Sequence, residues 1–216
     1  MSMDMKKIVA SLDELKEKTP KRKFKQSIEL IMSLRDLDLK DPANRINELV
    51  ELPNPGTSGA KVCIFATGEL AINAKSSDVD MVFSREDILE MGKDRKAAKK
   101  RLSSYDFFIS EAQLMPFVGR YLGQVLGPKG KMPTPVPPTV DISNVINRHK
   151  RMVRLRVRDQ LNAQCKVGDQ DMSSGEIAEN ISAVVSMIER KLEKGSRNIK
   201  TIYVKMTMGP TLKIDR

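Results

Sequence analysis

The residues with the most chemistry to offer lie near the two ends of the chain. A Val/Tyr/Ile strand runs into Thr207-Met208-Gly209-Pro210, where a β-strand should turn. A hydroxyl, a flexible apolar side chain, a backbone-permissive glycine and a stiffening proline stand together there. Such a corner can display groups to a partner at fixed angles. On its own it also reads as a strand-ending turn beside a core methionine. Near the other end, Lys23-Phe24-Lys25-Gln26-Ser27-Ile28-Glu29-Leu30 reads as part of a first strand, with Ser27 and Glu29 on one sheet face. A hydroxyl and an acceptor-only carboxylate with lysines nearby can bind ribose hydroxyls, base edges and phosphates. The alternative is a solvated strand face with Glu29 paired to a neighbouring lysine.

Catalytic chemistry is sparse. His149 is the only histidine, in the basic stretch Asn147-Arg148-His149-Lys150-Arg151, which predicts a solvated side chain. With one His and with Cys63 and Cys165 far apart, the usual zinc ligand sets cannot be assembled. No G-x-S-x-G elbow presents a serine to His149. Neither an enzyme nor a metal or other cofactor is expected. A nucleotide-using α/β enzyme would need a Gly-rich fingerprint after Val62–Ala66, and only Thr67-Gly68-Glu69 follows.

The loop Gly127-Pro128-Lys129-Gly130-Lys131-Met132 fits the G-x-x-G clamp of KH domains and, more weakly, a phosphate loop. A Walker loop needs Gly at 125 and Ser or Thr at 132, where Val and Met stand. Gly127, Lys129, Gly130 and Lys131 are expected to form a secondary, electrostatic contact with a polyanion, which the resemblance given below makes RNA. A KH-like regulator using that loop as its main clamp is the rival reading. The basic run Lys93 to Arg101 reads as a further RNA-facing helix or as a solvated one.

Composition agrees with a polyanionic partner: 38 basic against 28 acidic residues give a net charge of +10. Nine aromatic residues and no Trp make a base-stacking platform hard to build, so contacts to phosphate, sugar and RNA shape are favoured. No apolar run reaches membrane-spanning length and no signal-peptide core follows Met1 to Lys7, which predicts a cytoplasmic protein without a membrane partner. The two cysteines read as buried free thiols.

The positioning elements follow from periodicity. Residues 3–18 read as an amphipathic helix, 23–34 and 47–52 as strands, and 53–59 (Pro-Asn-Pro-Gly-Thr-Ser-Gly) as a linker. Strands at 62–66, 79–83 and 105–109 then alternate with helices at 69–75, at 85–102, through 114–125 and at 142–150, which argues for a parallel sheet. Val153 to Arg158 alternates strictly, with three arginines on one face and a hairpin to 163–167 behind it. Ser173 and Glu176 have capping-box spacing ahead of a helix, and 199–206 is the last long strand. This order places an insert, 59–151, inside a discontinuous domain of 1–58 and 152–216. Each part carries a net charge of +5, so charge does not say which one binds.

Five ordered segments together resemble one family: the basic-Phe start, the Leu-Pro linker, the loop Leu126 to Pro133, Glu179-Asn180-Ile181, and Thr207 to Pro210. The chain is similar over nearly its whole length to the large-subunit ribosomal protein L-one family of the mobile ribosomal stalk, in its archaeal form. The resemblance implies an α/β protein whose first, α+β domain is a discontinuous split β-α-β unit binding RNA. The insert would be a Rossmann-like three-layer domain. It implies a non-enzymatic RNA binder, monomeric off the ribosome, whose partners are large-subunit ribosomal RNA, exit-site tRNA and its own messenger. The implied RNA site is Lys23, Phe24, Ser27 and Glu29 with Thr201, Thr207, Met208 and Gly209. Ser27 stands where the family often has Thr, and Thr201 where Ser is common.

Overall fold

A computed structural model describes residues 4–41, 44–56 and 59–214. The chain packs as two compact units, one of Met1–Ser58 with Arg151–Arg216 and one of Gly59–Lys150. Arg151 falls in the first of these, where its carbonyl accepts from Leu52 N–H at 2.9 Å.

The first unit is built on a four-stranded antiparallel sheet. Its strands are β1 (Ser27–Leu34), β8 (Asn162–Asp169), β9 (Ile199–Met206) and β10 (Thr211–Ile214), in the order β10-β9-β1-β8. The central strand β1 alternates without a break, Ile28, Leu30, Met32 and Leu34 being buried and the residues between them partly exposed. That is the signature of a sheet with one face on a core and one face open. Helices α1 (Met5–Lys18) and α8 (Ser174–Lys191) supply the other side of the core through Ile8, Leu12 and Leu15 and through Ile177, Ile181, Val184 and Ile188. Helix α8 starts at the anticipated capping box: Ser173 Oγ accepts from Glu176 N–H, and the Glu176 carboxylate accepts from Ser173 N–H and Oγ–H. Those bonds hold the Glu176 carboxyl below its ordinary range, the Ser173 side chain contributing most.

Strand β7 (Met152–Val157) corrects the anticipated hairpin. It pairs with β2 (Ile46–Glu51) in a separate two-stranded sheet, while β8 pairs with β1. The bend at 158–161 redirects the chain, and Leu161 O accepts from Leu34 N–H, which seats β8 against β1 instead. Only Arg154 and Arg156 share the strand face, because Arg158 lies beyond its end.

The linker is held by a buried asparagine. Asn180 is fully buried; its Oδ1 accepts from Asn54 N–H at 2.9 Å, and its Nδ2 donates to Asn54 O at 2.7 Å and to Val167 O at 2.8 Å. The side chain thus completes a backbone-like pairing for a linker residue that belongs to no sheet.

The second unit has an all-parallel sheet of β3 (Val62–Phe65), β4 (Met81–Phe83), β5 (Phe107–Glu111) and β6 (Thr134–Val136), in the order β4-β3-β5-β6. Strands β3 and β5 are buried throughout, which is why they read as continuous apolar runs. Phe65, Phe83 and Phe108 stack on one face beneath α3 (Arg85–Lys93), α4 (Arg95–Leu102) and a segmented helical run ending in α6 (Gly123–Leu126). The single helix anticipated over 85–102 is two: Asp94 breaks it, its Oδ1 accepting from the N–H groups of Lys96 and Ala97. The opposite side holds α2 (Gly68–Ser76) and α7 (Ile142–Lys150). His149 is buried, against expectation, because Ile142, Ile146 and His149 form one apolar helix face. Its ring meets Phe107 edge-on and its Nδ1 lies 2.8 Å from Val145 O.

Both cysteines are free and buried, and burial raises both thiol pKa values, that of Cys165 to about 12. Among the described residues no helix is long and apolar enough to cross a membrane. Asn180→Ala leaves both polar groups of Asn54 without their buried partner, and denaturant unfolding should show a loss of about 3 kcal/mol.

Candidate nucleic-acid interface

The turn between β9 and β10 is bolted to the start of β1. Thr207 N–H donates to Ser27 O at 3.1 Å, and Thr207 Oγ1 accepts from Ser27 N–H at 3.2 Å. Gln26, with only 1% of its surface exposed, makes the deeper connection. Its Oε1 accepts from Met208 N–H at 3.1 Å and its Nε2 donates to Pro20 O at 3.1 Å. Its main-chain carbonyl accepts from Gln170 N–H at 2.9 Å. One side chain therefore fixes the β9–β10 turn against the segment that follows α1.

Gly209 is required by space rather than by backbone angle. Its φ is not positive, whereas those of Gly68, Gly130 and Gly195 are. A Cβ on Gly209 would stand 2.5 Å from Thr19 Oγ1, which is itself held on Leu15 O at 2.6 Å. The turn packs directly on the C-terminal end of α1.

Around this bolt the anticipated residues sort by place. Lys23 and Phe24 lie exposed in the loop before β1, and Met208 is exposed on the turn; Phe24 and Met208 keep about half of their surface open, 52% and 54%. Ser27 and Glu29 follow on the open face of β1. Glu29 sits between Lys205 on β9 and Lys166 on β8 in strand register, yet makes no ion pair among the described residues. Lys166 instead pairs with Asp169 at 2.6 Å, and Lys25 with Asp171 at 2.7 Å, a bond that raises the Lys25 pKa. Thr201 lies opposite Ser33, six residues along β1 from Ser27. At the rise of an extended strand that is about 20 Å from the turn, so Thr201 shares the face but not the corner.

In the second unit, the loop 127–131 closes the C-terminal end of α6. Gly130 N–H donates to Gly127 O at 2.8 Å and Lys131 N–H to Leu126 O at 3.0 Å. Those amides are therefore not available to clamp a phosphate. Lys131 Nζ donates to Tyr105 O at 2.6 Å and lies 3.7 Å from Asp106, which fastens the loop. Lys129 remains exposed. The crevice where a nucleotide would sit, outside the carboxyl ends of β3 and β5, holds the buried Glu111 carboxylate. It accepts from Thr67 N–H at 3.0 Å and from Thr67 Oγ1 at 2.8 Å. A carboxylate at that point repels a phosphate.

A family model described as the ribosomal protein L1p/L10e family matches residues 15–210. The chain belongs to that family. The large ribosomal subunit protein uL1 of Methanobrevibacter smithii is 44% identical over 207 residues, covering 96% of this chain and 98% of its own. The protein of that name from Archaeoglobus fulgidus is 40% identical over 214 residues, covering 99% and 100%. That from Thermoplasma acidophilum is 43% identical over 212 residues, covering 98% and 97%. The archaeal character read from the sequence agrees with these relatives.

In this member of the family the corner depends on a residue that the motifs do not single out. Gln26 carries no sign of its role in the sequence, because an amide beside Lys25 and Ser27 looks like ordinary strand polarity. Tyr203, Lys205 and Lys166 also share the open face, and their signal is the period-2 alternation of β8 and β9. For Gly209→Ala, the Cβ must displace Thr19, so thermal unfolding should show a loss of about 1–3 kcal/mol. Adding Thr19→Ala should recover most of that loss.

Proposed function

We propose that this chain is a non-enzymatic structural protein of the cytoplasmic large ribosomal subunit and binds the ribosomal RNA of the mobile stalk through the 23–29/207–209 corner. What carries the reading is a free hydroxyl and a free carboxylate at the start of β1, with exposed Phe24 in the loop before them and exposed Met208 on the braced turn. Among the described residues Ser27 Oγ makes no hydrogen bond and Glu29 makes no ion pair. A carboxylate only accepts, so Glu29 faces a ribose 2′-hydroxyl or a base amino group. Phe24 and Met208 exclude water around those bonds, which raises the penalty for a ligand that leaves them unmade. Lys23 draws in phosphate. Thr207, whose hydroxyl already bonds the Ser27 backbone, orients the turn as well as touching RNA.

The open face running from Glu29 past Tyr203 to Thr201 extends the same surface along β1. In the second unit Lys129 is the side chain of the 127–131 loop placed to meet RNA, and Lys131 positions it. Two finer roles are implied by the family likeness. Anchored on the stalk beside the exit site, the chain would assist deacylated tRNA in leaving through its second unit, and the same corner would repress the chain's own messenger by binding a stalk-like fold in it.

Met208→Ala and Phe24→Ala remove exposed surface and should leave the melting temperature unchanged. Each should weaken binding to a stalk ribosomal RNA fragment about tenfold, the effect of losing one well-buried apolar contact. Wild-type affinity in both variants would place the site elsewhere.

A further inference from the structure

The charge of the second unit is concentrated in one place. Gly59–Lys150 holds fourteen basic and ten acidic residues; six of the basic and one of the acidic fall within 93–101. The remainder of the unit, eight basic against nine acidic, is close to neutral. That single acid, Asp94, is engaged in capping α4.

We infer that the outer face of α4 is a second RNA-binding surface, one that grips the ribose–phosphate backbone by charge without reading sequence. Ala98 and Leu102 bury one side of the helix, so Lys96 and Lys100, one turn apart, point away from the core with Lys99 beside them. Arg101 turns back, its guanidinium 4.6 Å over the Phe83 ring and 4.0 Å from Asp87. Lys93, Arg95, Lys96, Lys99 and Lys100 are exposed and have no acidic partner among the described residues.

Helix electrostatics alone do not explain this arrangement. Lys99 and Lys100 suit the negative C-terminal end of the helix dipole, but Arg95 and Lys96 sit at its positive end, where cations are unfavourable. Lys96 and Lys100 repel each other across one turn. An external polyanion relieves both. The helix shows no large exposed apolar residue, which is the anchor that a protein partner would require. Phosphate is the better complement. Helix α6 packs against α4, and exposed Lys129 in the loop after α6 extends the track. This surface rests on the RNA reading above only for the identity of its polyanion.

The test uses the full chain carrying Lys96→Ala, Lys99→Ala and Lys100→Ala together. Its affinity is measured across a salt series for a stalk ribosomal RNA fragment and for an unrelated RNA duplex. Losing three phosphate contacts should make the slope of log affinity against log salt shallower by about two for both RNAs. Preference for the stalk fragment should remain. Met208→Ala should do the reverse, losing preference and keeping the slope. A wild-type slope in the triple variant, with Met208→Ala still losing preference, overturns the α4 surface and leaves the corner standing. No RNA binding by the wild-type chain overturns both. Loss of poly-glutamate binding with the RNA slope unchanged would assign α4 to an acidic protein and overturn the RNA assignment.

Discussion

One buried amide holds the candidate interface together. The Gln26 side chain joins the exit of α1 to the turn after β9 through bonds to Pro20 and Met208, and the Gln26 main-chain carbonyl adds the segment after β8 by accepting from Gln170 N–H. An unpaired amide at that depth costs on the order of 1–3 kcal/mol, so the exit of α1 and the turn after β9 are tied to one geometry. The exposed groups around it, Phe24, Ser27 and Met208, inherit their positions from it. A flexible turn would have to be ordered by the RNA, at a cost in affinity for each side chain immobilised. Thr19 and Gly209 close the same corner from the other side by contact rather than by hydrogen bonding.

Much of this was legible in the sequence where one element decides its own conformation. The alternation of β1 and β9, the capping box at Ser173, and the apolar runs of β3 and β5 are local signals, and each element formed, although β1 starts at Ser27 rather than at 23 and β5 spans Phe107–Glu111 rather than 105–109. The break at Asp94 was a local cap passed over in a basic run, whereas the other misreadings involve a choice made by tertiary packing. Strand β7 has the pattern of a hairpin partner, but nothing in Val153 to Val157 says that β2 takes its edge. His149 looks solvated beside Arg148 and Lys150, and only the 142/146/149 spacing places it inside. Gln26 is the extreme case, since its partners are distant or backbone atoms that no side-chain pattern encodes.

On the proposed reading the two units divide the work of binding by kind. In the first, hydroxyl, carboxylate and apolar groups sit on a braced turn, an arrangement suited to discrimination because an imperfect ligand leaves polar groups unpaired. In the second, the phosphate-accepting features suggested by the sequence turn inward. Glu111 occupies the crevice of the parallel sheet, and the amides of 130 and 131 close a helix end. The outward charge concentrated on α4, with Lys129, would add attraction without selecting a sequence.

The claim on which this account turns is that a residue too buried to touch RNA sets the affinity of the surface above it. Gln26→Met has nearly the same shape and makes none of the amide's bonds. The account predicts a folded protein with accelerated exchange of the Met208 amide and an affinity for stalk ribosomal RNA lowered about tenfold. Wild-type affinity with that amide released would contradict it.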